Sequence, residues 1–300
     1  MKNTLKNPFE QVGNWYKANL HSHTTTSDGA LSAADRVAQY RKAGYDILAL
    51  TDHYTTNDIH GVSDKKMLVI SGMEYHPTCP STPMVYHIVG LNIPHGFKFD
   101  DPKDAKRCIA QVRDAGGESF LAHPYWSGQS YESFHELLDE FVAIEVYNST
   151  CDRHGKPSSE SEWAYCLDNG HILPAIGNDD VHCAAGEDVC ECWTWLKLPS
   201  LSVKNVLTGL RRGMCYVSCG PRISDFKIKE GKVCLRCSAA ATIHFIGGPG
   251  GMGIRRRAEK GKSIKSFSIN VPDWPYVRAV VTDKTGPRAW TNPIILEGKK

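Results

Sequence analysis

From Trp15 to about Leu198 the chain repeats one pattern: a short apolar, β-rich run, a polar turn, then a helical stretch often closed by glycine. That alternation predicts βα units built on a largely parallel sheet. The first apolar run ends at Asn19-Leu20, just ahead of His21, and the next fall at 47–50, 67–71, 87–91, 119–122, 142–146 and 173–176. Helices are expected at about 32–43, where Ser32 caps and Gly44 stops the turn, and at 102–115, 132–140, 159–169 and 202–210.

After a last apolar run at 215–218 the pattern changes to short alternating segments separated by Gly, Pro, Asn and Asp, at 224–228, 233–238, 242–247, 263–269, 277–283 and 289–295. Short strands at that spacing predict a small β-sandwich. The fold class expected is therefore α/β, a βα barrel over residues 1–219 followed by an all-β module over 220–300, with the boundary near Gly220-Pro221.

Composition narrows the partners. Thirty-five basic against 33 acidic residues give a net charge of +2, so no overall field recruits nucleic acid or an acidic membrane. No run of about 20 apolar residues offers a membrane span, and the amino-terminal stretch has no signal-like apolar core, so a cytoplasmic location is expected. Eleven cysteines without paired C-x-x-C spacing suggest reduced thiols filling the core.

The chemistry shows in where ionisable residues fall. His21 and His23, His53, Glu74, His123 and Asp180 each stand at or just past the end of an apolar run, and barrel enzymes carry their chemistry at the carboxyl ends of their strands. In an extended segment side chains at i and i+2 share a face, so His21 and His23 can meet one cation. Asp28 lies on the turn Ser27-Asp28-Gly29, His87 at the start of a run, and His182 follows Asp180 at i+2. Mixed imidazole and carboxylate donors suit zinc, manganese or iron, whereas calcium would demand mostly oxygen.

His21-x-His23, Asp28-Gly29, Thr51-Asp52-His53, Gly72-x-Glu74, His87, His123-Pro124 and Asp180-x-His182 resemble, in order, the motifs of the PHP (polymerase and histidinol phosphatase) family. The segment Ile144-Glu145-Val146-Tyr147-Asn148 resembles the family as well, and the stretch from Arg212 to Pro221 with Ala289–Pro293 is similar to a branch with a β-rich tail that includes carbaryl-hydrolase-like enzymes. The resemblance implies a distorted seven-stranded, TIM-like barrel holding two or three divalent ions. His21, His23, Glu74 and Asp180 would hold the first ion, Glu74 with His87 and His123 the second, and Asp28, His53 and His182 the third.

It implies a hydrolase, most simply a phosphoesterase acting on a small phosphomonoester, a nucleotide or a short oligonucleotide through attack by a metal-bridging hydroxide. Asp180, His53 and His182 are the expected catalytic residues, and either histidine could instead protonate the leaving group. Arg153, His154 and Lys156, on the loop after the sixth run, are candidates for gripping a small anionic, phosphorylated substrate. Two competing readings keep the same residues: hydrolysis of a carboxylic or carbamate ester, and a non-catalytic metal-binding or interaction module. Asp52 and Asp179 are expected to orient ligand imidazoles. The basic run Arg255-Arg256-Arg257 is expected on a strand edge, where charge opposes aggregation.

Overall fold

The structure, a computed structural model, describes residues 5–63, 66–186 and 188–296, so the outermost residues of the two expected domain ranges lie outside the described residues. Seven strands lie side by side in chain order: β1 (Asn14–Asn19), β2 (Ile47–Leu50), β3 (Leu68–Tyr75), β4 (Ile88–Leu91), β5 (Glu118–Leu121), β6 (Ile144–Asn148) and β7 (Ala175–Asn178). β1, β2 and β3 pair in parallel, as do β5, β6 and β7, while β4 runs antiparallel to both of its neighbours. The connection between β3 and β4, described throughout, holds no helix, and without a helical crossover the chain simply returns. The start of β4 therefore lies at the rim where the other strands end.

The last strand of the seven comes back to the first. Leu20 N donates to Asn178 Oδ1 at 2.8 Å and Asp179 N to Asn19 Oδ1 at 2.9 Å. Beyond them Ser22 and Val181 form a parallel bridge, with Asp180 N donating to His21 O and His23 N to Val181 O, each at 3.0 Å. Apolar side chains of Ala18, Ile47, Ala49, Ile70, Val89, Phe120 and Ile176 share one core cluster with these strands. Burying each large one stabilises the fold by about 1.5–3 kcal/mol.

α1 (Ala33–Lys42) starts at Ser32, whose hydroxyl accepts from Asp35 N, and gives way to Gly44 at φ 76°. α2 (Ala105–Asp114) is capped by Asp104. The expected helix at 132–140 is instead one turn, α3 (Tyr131–Phe134), running into a 3-10 stretch, His135–Glu140. A short α4 (Ser149–Asp152) directly follows β6, and α5 (Glu160–Asp168) precedes β7.

The sheet does not stop at the first strand. β8 (Trp193–Leu198), which sequence reasoning left unassigned, pairs antiparallel with β1, and β9 (Cys215–Ser218) pairs with β8 after α6 (Val203–Arg211). It continues through β16 (Arg288–Thr291), β15 (Tyr276–Thr282) and β12 (Thr242–Ile246) to β13 (Gly253–Arg257). β13 has no buried residue, carries the arginine run and bonds β12 alone, as an edge strand would. A separate three-stranded sheet of β10 (Ile223–Lys229), β11 (Lys232–Ala240) and β14 (Ile264–Asn270) shares a core, including Phe226, Leu235, Ile243, Phe245 and Val277, with the end of the long sheet. The expected strand at 289–295 is split by Asn292-Pro293 into β16 and β17 (Ile294–Ile295), and Asn292 turns inward to accept from Ala175 N at 2.7 Å. Mixed α/β architecture on one large sheet is thus the observed class. Among the described residues no helix is long and apolar enough to cross a membrane.

Candidate metal centre

All nine residues singled out as ligands converge on one rim. His21 and His23 follow β1 in extended backbone, both fully buried, while the intervening Ser22 turns away to donate to Ala49 O at 2.6 Å. The loop after them doubles back through Gly29, where a Cβ would lie 2.4 Å from the carbonyl carbon of His23. Only glycine permits that approach, and it brings Asp28 Oδ1 to 3.4 Å from His23 Nδ1.

Glu74, near the end of β3 and 1 % exposed, is the centre. Its Oε2 lies 3.3 Å from His21 Nε2, 3.4 Å from His23 Nε2 and 3.1 Å from His53 Nδ1. Its Oε1 lies 2.8 Å from His87 Nδ1 and 3.5 Å from His123 Nε2. Asp180 Oδ1 stands 3.1 Å from His21 Nε2 and 2.9 Å from His23 Nε2. Asp28 Oδ2 stands 3.3 Å from His53 Nε2 and 3.4 Å from His182 Nε2. His87 reaches this rim from the start of a strand because β4 is reversed.

The donors group as His21, His23, Glu74 and Asp180; as Glu74, His87 and His123; and as His23, Asp28, His53 and His182. The second nitrogen of His23 thus joins the third group. Two ligands each about 2.1 Å from a tetrahedral ion stand roughly 3.4 Å apart, close to the separations seen here. Hydrogen bonding accounts for the His87 Nδ1 to Glu74 Oε1 contact at 2.8 Å, but His21 Nε2, both nitrogens of His23, His53 Nδ1 and Asp180 Oδ1 are buried without a hydrogen-bond partner. Buried polar atoms left so are costly unless something binds them. Lone pairs that converge on a point rather than on one another fit divalent cations. Two of these residues also hold strained backbone, His123 at φ 26° and Asp180 at φ 55°, and such strain persists where the surroundings enforce it.

Charge complements geometry. Burial works against a proton on His21 and His23, yet Asp180 and Glu74 outweigh it, lifting His21 well above its ordinary value and His23 to about 9. Burial alone would raise Glu74 and Asp180, but the surrounding imidazoles hold both far below the usual carboxylate range. His87 moves the other way, down to about 4, mainly through burial. The same carboxylates that favour a proton on these imidazoles favour a cation between them, and metal binding competes with those protons.

Sequence reasoning missed Glu145. It is fully buried and its two oxygens take four N–H groups: His21 Nδ1 at 3.4 Å and Asn178 Nδ2 at 2.8 Å on Oε1, His123 N at 3.1 Å and Asn148 Nδ2 at 2.9 Å on Oε2. A group of His21, His123 and Glu145 has ligand spacing, but with those oxygens saturated Glu145 positions imidazoles rather than binding an ion. Asp52 and Asp179 do not play that part, contrary to expectation. Asp52 accepts from Thr24, Ser27 and Asn57 and so pins the Asp28 loop. Asp179 accepts from Tyr40, Ser149 and the N–H groups of 190–192, with burial raising it to about 6. Each neighbours a ligand in sequence, but its oxygens are taken up by these other partners.

Arg153, His154 and Lys156 are exposed just beyond α4. Arg153 Nη1 lies 3.1 Å from Cys183 Sγ, next to His182. The His154 ring lies 6.0 Å from Trp126, whose edge meets the rings of His87 and His123 at 5.4 and 5.1 Å. Lys156 extends over Tyr125 at 5.7 Å. Tyr147 packs on Trp290, 5.6 Å away, on the side of the β-rich region.

No protein-family model and no curated protein matches the sequence. Among solved structures, a two-domain protein of Bacteroides vulgatus ATCC 8482, described as containing a predicted PHP-like metal-dependent phosphoesterase, overlays with TM-score 0.56 at 15 % identity, covering 98 % of this chain and 99 % of that one. An amidohydrolase of Chromobacterium violaceum overlays with TM-score 0.46 at 19 % identity, over 57 % of this chain and 89 % of that one. A lesion-specific endonuclease of Pyrococcus furiosus does so with TM-score 0.44 at 12 % identity, over 66 % and 56 %. The first likeness runs the length of both chains, and the resemblance read from the motifs is met at the level of the fold.

Proposed function

We propose that the chain is a metal-dependent phosphoesterase acting on a small phosphomonoester, a nucleotide or a short oligonucleotide. The observation that carries this reading is the convergence of imidazole and carboxylate donors on both oxygens of Glu74, with His21 Nε2, His23 Nε2 and Asp180 Oδ1 buried and unpartnered on the Oε2 side. Divalent zinc, manganese or iron held there would lower the pKa of a water and screen the oxygens of a phosphoryl group.

The chain's own residues divide the remaining work. Glu74 turns one oxygen to each of two donor groups, which fixes their spacing. Asp180, held by Asn148 Nδ2 at 3.1 Å, keeps its other oxygen for His21 and His23. His53 and His182, with side chains 27 % and 25 % exposed, stand at the solvent side, where a leaving oxygen needs either a cation ligand or a proton. Arg153, His154 and Lys156 lie beyond them and suit the non-bridging oxygens of an anionic substrate.

The same reading takes β1–β7 as a distorted seven-stranded barrel within residues 1–219 and residues 220–300 as a β-sandwich module. The bonds from β7 back to β1 and the shared core of the two C-terminal sheets support it, as does the two-domain neighbour, alike along its whole length.

The test is product release by manganese- or zinc-reconstituted protein from a parallel panel of phosphomonoesters, phosphodiesters, short oligonucleotides and aryl carboxyl or carbamate esters, with Asp180→Asn as the blank. Phosphate released above the blank upholds the proposal. Turnover of carboxyl or carbamate esters alone would replace it with an esterase, and silence across the panel in a metal-loaded protein would leave a binding module.

A further inference from the structure

His76 falls in none of the motifs, yet it carries the marks of a ligand. Glu74 and His76 are i and i+2 at the end of β3, the relation that also joins His21 to His23, and the same spacing separates Asp180 from His182. His76 Nε2 lies 3.5 Å from Glu74 Oε1, and its ring centroid is 4.8 Å from that of His53 and 4.1 Å from that of His87. That nitrogen is buried and has no hydrogen-bond partner, as is true of His21 Nε2 and His53 Nδ1. Two other histidines outside the motifs differ: Nδ1 of His95 bonds to Thr56 O at 3.1 Å, and Nδ1 of His135 to Glu132 O at 3.0 Å.

The local backbone fixes this placement. His53 and Glu74 form a parallel bridge, Tyr54 N donates to Glu74 O at 2.9 Å, and Tyr54 OH donates to His76 O at 3.2 Å. The Tyr54 ring meets His76 edge-on, 5.1 Å away at 82°. Tyr54 itself sits at φ 54°, a conformation that a tyrosine adopts only under constraint. His53, Glu74 and His76 consequently present donor atoms with ligand spacing to one another. His53 faces Asp28 with Nε2 and Glu74 with Nδ1.

We infer that His76 is a metal ligand and that His53, Glu74 and His76 form a further cation position at the mouth of the centre. The inference rests on the metal-dependent reading above. Two nitrogens and one oxygen leave room for water on a tetrahedral ion, the arrangement of an open site rather than a closed structural one. With the His53 and His76 side chains 27 % and 14 % exposed, this position exchanges faster and binds more weakly than the fully buried group of His21, His23, Glu74 and Asp180.

The experiment is stepwise addition of cobalt(II) to chelator-stripped full-length protein, following the visible ligand-field absorption, with bound metal counted by plasma emission. Wild type, His76→Ala, His76→Gln and Asp180→Asn are compared, each shown to be folded by circular dichroism. The expected result is that both His76 variants bind one equivalent fewer than wild type, or hold the weakest equivalent at least about tenfold less tightly. Asp180→Asn should instead weaken the tightest equivalent. Variants at His76 that match wild type in number and affinity would overturn the inference while leaving the metal centre standing. A wild-type protein that takes up no cobalt would overturn both.

Discussion

Replacing Glu145 by glutamine should weaken the metal centre without touching a ligand. The two oxygens of Glu145 take two N–H groups each, and a carboxylate has about four lone-pair sites to offer. Whichever way a glutamine amide turns, its NH2 faces two donors. If it faces Oε1's partners, Asn178 cannot flip to oblige, since its own Oδ1 accepts from Leu20 N at 2.8 Å. His21 could accept only by moving its proton from Nδ1 to Nε2, the atom that faces Glu74 and Asp180. If it faces Oε2's partners, the fixed backbone N–H of His123 loses its acceptor, and so does Asn148 Nδ2, whose amide is held by Cys151 N donating to its Oδ1 at 3.0 Å.

Two buried donors left unmatched cost at least about 2 kcal/mol of stability. Loss of a partner that orients a ligand imidazole lowers metal affinity by roughly 10–100-fold, equivalent to about 1.4–2.8 kcal/mol. Chelator competition for zinc, run on wild type and Glu145→Gln well below their melting temperatures, measures the second quantity, and urea unfolding of the stripped proteins measures the first. A folded Glu145→Gln protein whose zinc affinity lies within about twofold of wild type would refute the reasoning, because the expected loss is at least tenfold.

Other perturbations follow from the same geometry. Gly29→Ala places a Cβ 2.4 Å from the His23 carbonyl carbon; a destabilisation of about 1–3 kcal/mol is expected, with weaker binding at Asp28, His53 and His182, read by thermal melts with and without cobalt. Glu160 pairs with the buried Arg278 at 2.7 Å and accepts from Trp290 Nε1 at 3.0 Å, tying α5 to β15 and β16. Glu160→Gln should cost about 2–3 kcal/mol at neutral pH, the low side for a broken buried pair because Glu160 is partly exposed. Burial opposes the charge of Glu160, but Arg278 and Trp290 outweigh it and hold its pKa below the ordinary value. The contribution is thus complete above the unfolded carboxylate pKa of about 4.3 and fades as pH falls through the lower folded value; unfolding at pH 7 and pH 3 should show the gap between the proteins narrowing in acid. Arg153→Ala and Lys156→Ala should each raise KM for a phosphate ester by about fivefold with kcat unchanged, the upper end for an exposed charge pair, and steady-state kinetics would expose an unchanged KM.

Much of this arrangement was legible in the sequence because the strands carry their chemistry at their ends. Apolar runs located β1 to β7, and the residues following them supplied the donor list that converges around Glu74. What escaped depended on direction and on long-range partners. Nothing local announced that β4 reverses, although His87 at the head of its run was the trace of it. Glu145 stood out only within a family-like segment and without a role, because its four donors come from β1, β5, β6 and β7 or the residues following them. His76 had a usable signal, the i+2 spacing from Glu74, and it was passed over because it matched no motif. Asp52 and Asp179 erred for the opposite reason: adjacency to ligands suggested a shared role, whereas their partners, Ser27 and Asn57 for one and Tyr40 and Ser149 for the other, come from elsewhere in the chain. β8 went unassigned, whereas the arginine run expected on a strand edge lies on β13, the last strand of the long sheet.

The most direct test of the account is anomalous diffraction from crystals of the full chain grown with zinc or manganese and measured at the absorption edge of that metal. The account predicts at least two peaks flanking the Glu74 carboxylate, about 3.5–4 Å apart as in two-metal hydrolases, one contacting His21, His23 and Asp180 and the other His87 and His123. Crystals soaked at saturating metal that show no peak beside Glu74, with its imidazole neighbours bonded to the carboxylates instead, would contradict it.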